Sequence, residues 1–142
     1  MNEKETIKKI FTMKTIAVVG LSPKDIRPSH GVAKYLQSVG YKIIPVNPGH
    51  PDILGEKSYP SLRDIPTVVD IVDVFRKSEY VIPITEAAIE IGAKAIWFQD
   101  GVVNREAANL AEDAGLLVVM NDCMLRQHRA IGNPTYAPHC EI

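Results

Sequence analysis

Five short apolar runs recur along the chain, at residues 15–20 (TIAVVG), 42–46 (KIIPV), 70–75 (DIVDVF), 95–98 (AIWF) and 116–120 (LLVVM). They are nearly continuous instead of alternating, which is the pattern of strands covered on both faces, and such strands belong to parallel sheets. Parallel neighbours need a crossover, so the segments between the runs must supply helices. Residues 31–39 carry a Val32, Leu36 and Val39 stripe with Gly40 as the stop. A further helix begins at Ser78 or near Pro83, carries Ile84, Ala87, Ala88 and Ile91, and closes at Gly92. Residues 104–114 are alanine-rich and end at Gly115. Residues 50–66 show no strong period and read as loop with a helical turn at 61–65, which makes the second crossover short.

The ends of the chain are simpler. Ile7, Ile10 and Phe11 stand at helical spacing among charged residues and predict an amphipathic leading helix laid against the domain. A short helix follows over 124–129, and Gly132, Pro134 and Pro138 argue for an irregular tail. The expectation is one domain over 1–142, with the leading helix in 1–13 and the tail in 130–142. Its fold class is α/β, a Rossmann-like doubly wound parallel sheet of about five strands in the order 3-2-1-4-5, with helices on both faces.

Charge and cysteine content narrow the function classes. Sixteen Lys and Arg against seventeen Asp and Glu leave a net charge of -1, which disfavours a general nucleic-acid or membrane-surface binder. No apolar run approaches the length of a membrane helix. Two cysteines, Cys123 and Cys140, without an apolar leader, point to a reducing cytoplasm. The spacing of His128, His139, Cys123 and Cys140 matches no recognised metal-ligand pair, so no metal site is expected. Neither G-x-S-x-G nor a P-loop is present, and nothing pairs Asp70, Asp73 or Asp100 with a nucleophile, so no catalytic residue is assigned.

In an open parallel sheet, ligands bind beyond the carboxyl ends of the strands, so the segments after each run carry the chemistry. After the first come Gly20 and Ser22, with Ser29 and Gly31 further along a long loop. This is a worn dinucleotide fingerprint, because the full G-x-G-x-x-G would need glycine at Ser22 and Asp25. Gly20 would turn the backbone and Gly31 would start a helix close to the sheet. A phosphate would be held by the helix N-terminus, backbone N–H groups and the Ser22 or Ser29 hydroxyl, and a plain tight turn is the alternative. After the second run stand Asn47 and Pro48, where an NAD site would place a carboxylate for the ribose hydroxyls. NAD is therefore disfavoured, and Asn47-Pro48 serving only as a turn remains open. Lys24, Arg27, His50, Arg76 and Lys77 lie in these loops and would form a local anion site if they converge, or a solvated surface if they do not. Trp97 ends the fourth run with its side chain on the face of Gln99 and opposite Phe98, as core or as the wall of a groove.

Taken together, GLSPKDIRPSHGVAKYL, IIPVNPGH, VDIVDVF with Arg76, AIWFQDGV and Asp122-Cys123-Met124 resemble the stand-alone CoA-binding protein family. That family is similar to the N-terminal CoA-binding domain of the succinyl-CoA synthetase alpha subunit and of ADP-forming acyl-CoA synthetases. The resemblance implies coenzyme A or an acyl-CoA as the ligand. Gly20, Leu21 and Ser22 would contact its phosphates, with Arg27 and Ser29 closing the loop. Asn47 and Pro48 would flank the adenosine, Phe75 and Arg76 would follow the ligand, and Trp97, Phe98 and Gln99 would line the path to pantetheine. The chain departs from the pattern at His50, where the synthetase domain has a lysine nearby, and at Asn121, where the family usually reads Asp-x-Cys. A Cys123 near the thiol end would be placed for exchange with a CoA disulfide.

The synthetases act through a phosphohistidine on a later domain and a separate nucleotide-grasp module, neither of which fits before Ile142. The expectation is a cytoplasmic binding module, non-catalytic by itself, that acts as a carrier, a sensor or a partner of a CoA-using enzyme. The alternatives are the CoA-binding component of a multi-chain acyl-CoA synthetase and an NAD(P)-binding regulatory module. A homodimer through the outer helices is a further expectation.

Overall fold

The computed structural model describes residues 1–131. Helix α1 (Lys4–Phe11) leads into β1 (Thr15–Val19), α2 (Pro28–Ser38) and β2 (Lys42–Val46). A small antiparallel pair, β3 (Asp52–Ile53) and β4 (Glu56–Lys57), and a 3-10 turn (Leu62–Asp64) precede β5 (Ile71–Val74). A second 3-10 turn (Ser78–Tyr80) runs into α3 (Val81–Glu90), followed by β6 (Ala95–Phe98), α4 (Arg105–Asp113), β7 (Leu117–Met120) and α5 (Met124–Ile131). The five long strands form one sheet in which every neighbouring pair is parallel. Both suggested starts of the helix after β5 have a counterpart. Ser78 opens the 3-10 turn, and Pro83 sits in the first turn of α3, where its missing N–H costs little.

The strand order differs from the expected 3-2-1-4-5. It is β2-β1-β5-β6-β7, so the long strands counted along the chain run 2-1-3-4-5. Proline explains why. The carbonyl of Pro45 faces away from β1 and accepts the Tyr59 N–H, so the missing N–H of the ring lies on that same outer side, where an interior strand would need a donor. Tyr59 returns the contact by accepting the Asn47 N–H, and this single bridge caps β2 in place of a full strand. The next long strand therefore passes back and pairs with β1.

Period-two alternation divides each strand between two apolar layers. Ala17, Val19, Ile44, Val72, Val74, Ile96, Phe98 and Val118 pack with Val81, Ala87 and Ala88 of α3 and with Ala107, Ala108 and Ala111 of α4. On the other face Ile16, Val18, Ile43, Ile71, Trp97 and Val119 pack with Ile7, Ile10 and Phe11 of α1, Val32 and Leu36 of α2 and Met124 of α5. The leading helix thus buries the three residues that its spacing singles out. At the amino ends of the strands, Asp70 accepts from the Lys14 and Thr15 N–H groups and faces Lys94, which makes it a clamp on β1. Helix α5 runs to Ile131, so the expected tail begins no earlier than 132; the tail, with His139 and Cys140, lies outside the described residues.

Candidate functional site

The helix after β1 lies on one face of the sheet, whereas α3 and α4 lie on the other. The direction of winding therefore reverses between β1 and β5, and the loops leaving these two strands part around a crevice. Gly20 ends β1 with φ +88°, and a Cβ there would stand 2.5 Å from the Phe75 carbonyl oxygen. Both the backbone angle and the close approach of the β5 loop demand glycine.

Two clefts open from this point. The first, about 480 Å³, spans the ends of β2, β1 and β5 and is lined by Gly20, Ser22, Lys24, Arg27, Ser29, Asn47, His50 and Phe75, with Pro23 and Pro28. Its frame is held by side-chain bonds to the backbone. The Ser29 hydroxyl accepts the Ser22 N–H at 3.0 Å, and the Ser22 hydroxyl accepts the Lys24 N–H at 3.1 Å. The Asn47 amide donates to the Leu21 carbonyl at 2.9 Å, while its oxygen accepts the Gly49 N–H at 2.8 Å. Asn47 is thus a turn former and a wall of the cleft at once. Lys24, Arg27 and His50 are exposed, and neither Lys24 nor Arg27 pairs with a carboxylate among the described residues. The N-terminus of α2, with Pro28 first, adds the positive end of a helix dipole.

The second cleft, about 420 Å³, spans the ends of β5, β6 and β7. Phe75, Val32, Val102, Pro28 and Cys123 form its apolar walls, and Gly101 joins them. Arg76, Lys77 and Asp100 lie at its charged edge, and Gln99 is its uncharged polar side chain. Asp100 is held by both guanidinium nitrogens of Arg126, whose hydrogen bonds keep the carboxyl below its usual range. Arg126 also reaches Asp122, which accepts the Cys123 N–H and so fixes the entry to α5. Asn121, with φ +60°, supplies the reversal before it and accepts the Gly101 N–H. Phe75 and Pro28 line both clefts, which therefore adjoin.

Beneath the second cleft lies a buried polar pair. Gln99 donates through Nε2 to Asp73 Oδ1 at 2.6 Å, and Asp73 is wholly enclosed, with Oδ2 unpartnered among the described residues. Burial pushes the Asp73 carboxyl up to about 7, against the opposing pull of the Gln99 hydrogen bond.

Of the expected site residues, the structure gathers Gly20, Ser22, Arg27, Ser29, Asn47 and Phe75 in the first cleft, and Arg76 and Gln99 with Phe75 in the second. Others lie elsewhere. Leu21, Trp97 and Phe98 are fully buried; Trp97 stacks near Phe11 and donates its indole N–H to the Asp122 carbonyl, so it is a core residue and not a groove wall. Pro48 is exposed beside Asn47 but lines neither cleft. Gly31 does not start a helix against the sheet. It lies inside α2, which begins at Pro28, and a Cβ there would meet nothing within 4 Å. The Ser22 N–H, a candidate phosphate donor, is taken by Ser29. Sequence reasoning missed Pro28, Val32 and Val102. Only the wall-forming register of α2 and the loop after β6 reveals them.

The parallel sheet with its crevice at the switch point places the protein in the Rossmann-like class of α/β domains, whose ligand sites lie there. More narrowly, the chain belongs to the CoA binding domain family, whose model matches residues 14–129. It is 44% identical over 126 residues to YneT, an uncharacterized protein of Bacillus subtilis (strain 168), across 88% of this chain and 93% of YneT. A solved structure, a hypothetical protein from Pyrococcus horikoshii OT3, superposes with a TM-score of 0.87 at 46% identity, over 92% of this chain and 93% of that one. Acetate-CoA ligase (ADP-forming) I of Archaeoglobus fulgidus is 27% identical over 128 residues, which cover 83% of this chain. That match covers only 19% of the ligase. Among the described residues no helix is long and apolar enough to cross a membrane.

Proposed function

We propose that this domain binds coenzyme A across the two clefts, the phosphorylated nucleotide in the first and the pantetheine arm in the second. The observation that carries this reading is the junction of a cationic cleft and an apolar one at Phe75 and Pro28. Coenzyme A has a matching division, with a charged head bearing a diphosphate and a 3′-phosphate, and an extended, uncharged arm of amides and apolar segments. Lys24, Arg27, His50 and the start of α2 would meet the phosphates, with Arg supplying bidentate contacts. Among the described residues no carboxylate lines the first cleft, and Asn47 stands at the end of β2, where the ribose clamp of an NAD site would place one. Membership of the CoA binding domain family supports the same ligand.

Titration calorimetry with coenzyme A, dephospho-CoA and NAD tests the proposal. Saturable binding of coenzyme A that weakens on loss of the 3′-phosphate and in Arg27→Ala is the expected result. Equal affinity for NAD, or no saturable heat from folded protein, rejects it.

A second reading rests on the similarity to the ADP-forming acetate-CoA ligase. In that case the domain supplies the CoA site of an acyl-CoA synthetase whose other parts are separate chains. ATP- and acid-dependent thioester formation on addition of such a partner would support it, and coenzyme A binding with no thioester under those conditions would leave the binding module alone.

A further inference from the structure

We infer that Gln99, oriented by Asp73, is a specificity-determining hydrogen-bond acceptor in the second cleft, selecting a ligand arm that presents an N–H to it. The inference rests on the coenzyme A reading and adds to it the group by which the arm is read.

A glutamine amide has one donating and one accepting end, and its appearance at a surface is set by what the hidden end touches. Here Nε2 is 2.6 Å from Asp73 Oδ1, and once Asp73 is ionised, above pH about 7, it accepts only, so the NH₂ group must face inward. The carbonyl Oε1 is then the end left for the cleft. It has no partner among the described residues, and unlike Asp73 Oδ2 it is not sealed from the surface. Gln99 follows Trp97 by two residues and Asp73 lies opposite Trp97 in the sheet register, so both polar side chains rise from adjacent strands on the same face. Strand backbones fix their separation, and the arrangement is as rigid as the core around it.

The surroundings make this oxygen decisive. Val32, Val102, Phe75, Pro28 and Cys123 offer no comparable acceptor side chain, and Asp100 is held by Arg126. An apolar arm slides past these walls without preference, whereas a group seated against Oε1 must donate or leave it unpaired. The pantetheine arm presents two amide N–H groups and one hydroxyl as donors between its apolar segments, and we assign one of the two amides to the single acceptor of the cleft. A partner in which the matching amide is an ester has the same length and no donor. Asp73 does not touch the ligand in this scheme and is a positioning residue.

The test compares coenzyme A, 3′,5′-ADP and two coenzyme A analogues in which one or the other pantetheine amide N–H is replaced by oxygen. Binding is measured by calorimetry at about pH 8.5, where Asp73 is a carboxylate. Wild-type protein is expected to discriminate against one of the ester analogues by roughly tenfold. In Gln99→Met, which keeps the length of the side chain and removes the acceptor, coenzyme A should fall to the affinity of that ester. The affinity for 3′,5′-ADP should stay unchanged. Asp73→Asn, which can meet Gln99 in either orientation, should shrink the discrimination while leaving 3′,5′-ADP binding alone. Equal loss of coenzyme A and 3′,5′-ADP in Gln99→Met, or wild type that binds both esters as well as coenzyme A, overturns the inference while the coenzyme A reading stands. Wild type that binds no coenzyme A overturns both.

Discussion

The two clefts share Phe75 and Pro28 and are made in opposite ways. The first is built of loops, with exposed cations over a frame of Ser and Asn side chains that satisfy the backbone. The second is built on strand ends, with a buried amide and carboxylate among apolar walls. Exposed charges attract polyanions at long range and are screened by salt, whereas a desolvated acceptor discriminates at contact. On the proposed reading, affinity and selectivity for one ligand are separable, because they rest on contacts of different kinds.

The sharpest break falls on the buried side. The folded-state pKa of Asp73 lies above its unfolded value, so the native protein keeps a proton that the unfolded chain has already released. Stability from this group therefore falls as pH rises from about 4 to about 7 and levels off above that, a loss on the order of 4 kcal/mol. Asp73→Asn keeps an acceptor for Gln99 and removes the titration. Urea unfolding across pH should show the variant gaining on wild type between these limits, and parallel pH profiles would contradict the buried-carboxylate assignment.

On the loop side, Gly20→Ala comes next. The residue must hold φ +88° with its Cβ 2.5 Å from the Phe75 carbonyl. A cost of about 2–4 kcal/mol is expected from strain and displacement of the β5 loop, read from the denaturation midpoint. Ligand affinity should fall in both clefts, because both use Phe75. Gly31→Ala has open space and a helical position, so it should be neutral or slightly stabilising, and a large loss there would upset the contrast.

The smallest effect isolates the first cleft. Arg27→Ala should leave the melting temperature unchanged, since Arg27 is exposed and pairs with no carboxylate among the described residues. It should weaken coenzyme A roughly tenfold and flatten the salt dependence of binding. Loss of affinity with an unchanged salt slope would place Arg27 outside the phosphate contacts.

The periodicity of the sequence carried the elements far better than their arrangement. Continuous apolar runs and helical stripes located the five strands and the main helices, because burial on both faces leaves that mark in any chain. The order of strands is a long-range property, and one local residue held the clue. Pro45 has no N–H to give on the outer side of β2, and the bridge from Tyr59 on that side makes the strand an edge. The β3–β4 pair was illegible because two-residue strands have no period. In the site, the loop residues were legible from the rule that ligands gather at carboxyl ends. Trp97 was ambiguous because its face could be read but not what covered that face, and Phe11 and the Asp122 carbonyl decide it. Asp73 entered the sequence reading only as an acid without a nucleophile, because its burial and its pairing with Gln99 depend on the register of β5 against β6.

The most direct measurement is a crystal structure of the protein grown with coenzyme A. The account requires the phosphates beside Lys24, Arg27 and the start of α2, the arm passing Phe75, and an amide N–H within hydrogen-bond reach of Gln99 Oε1. Coenzyme A bound in the reverse sense, or seated away from both clefts, would contradict it.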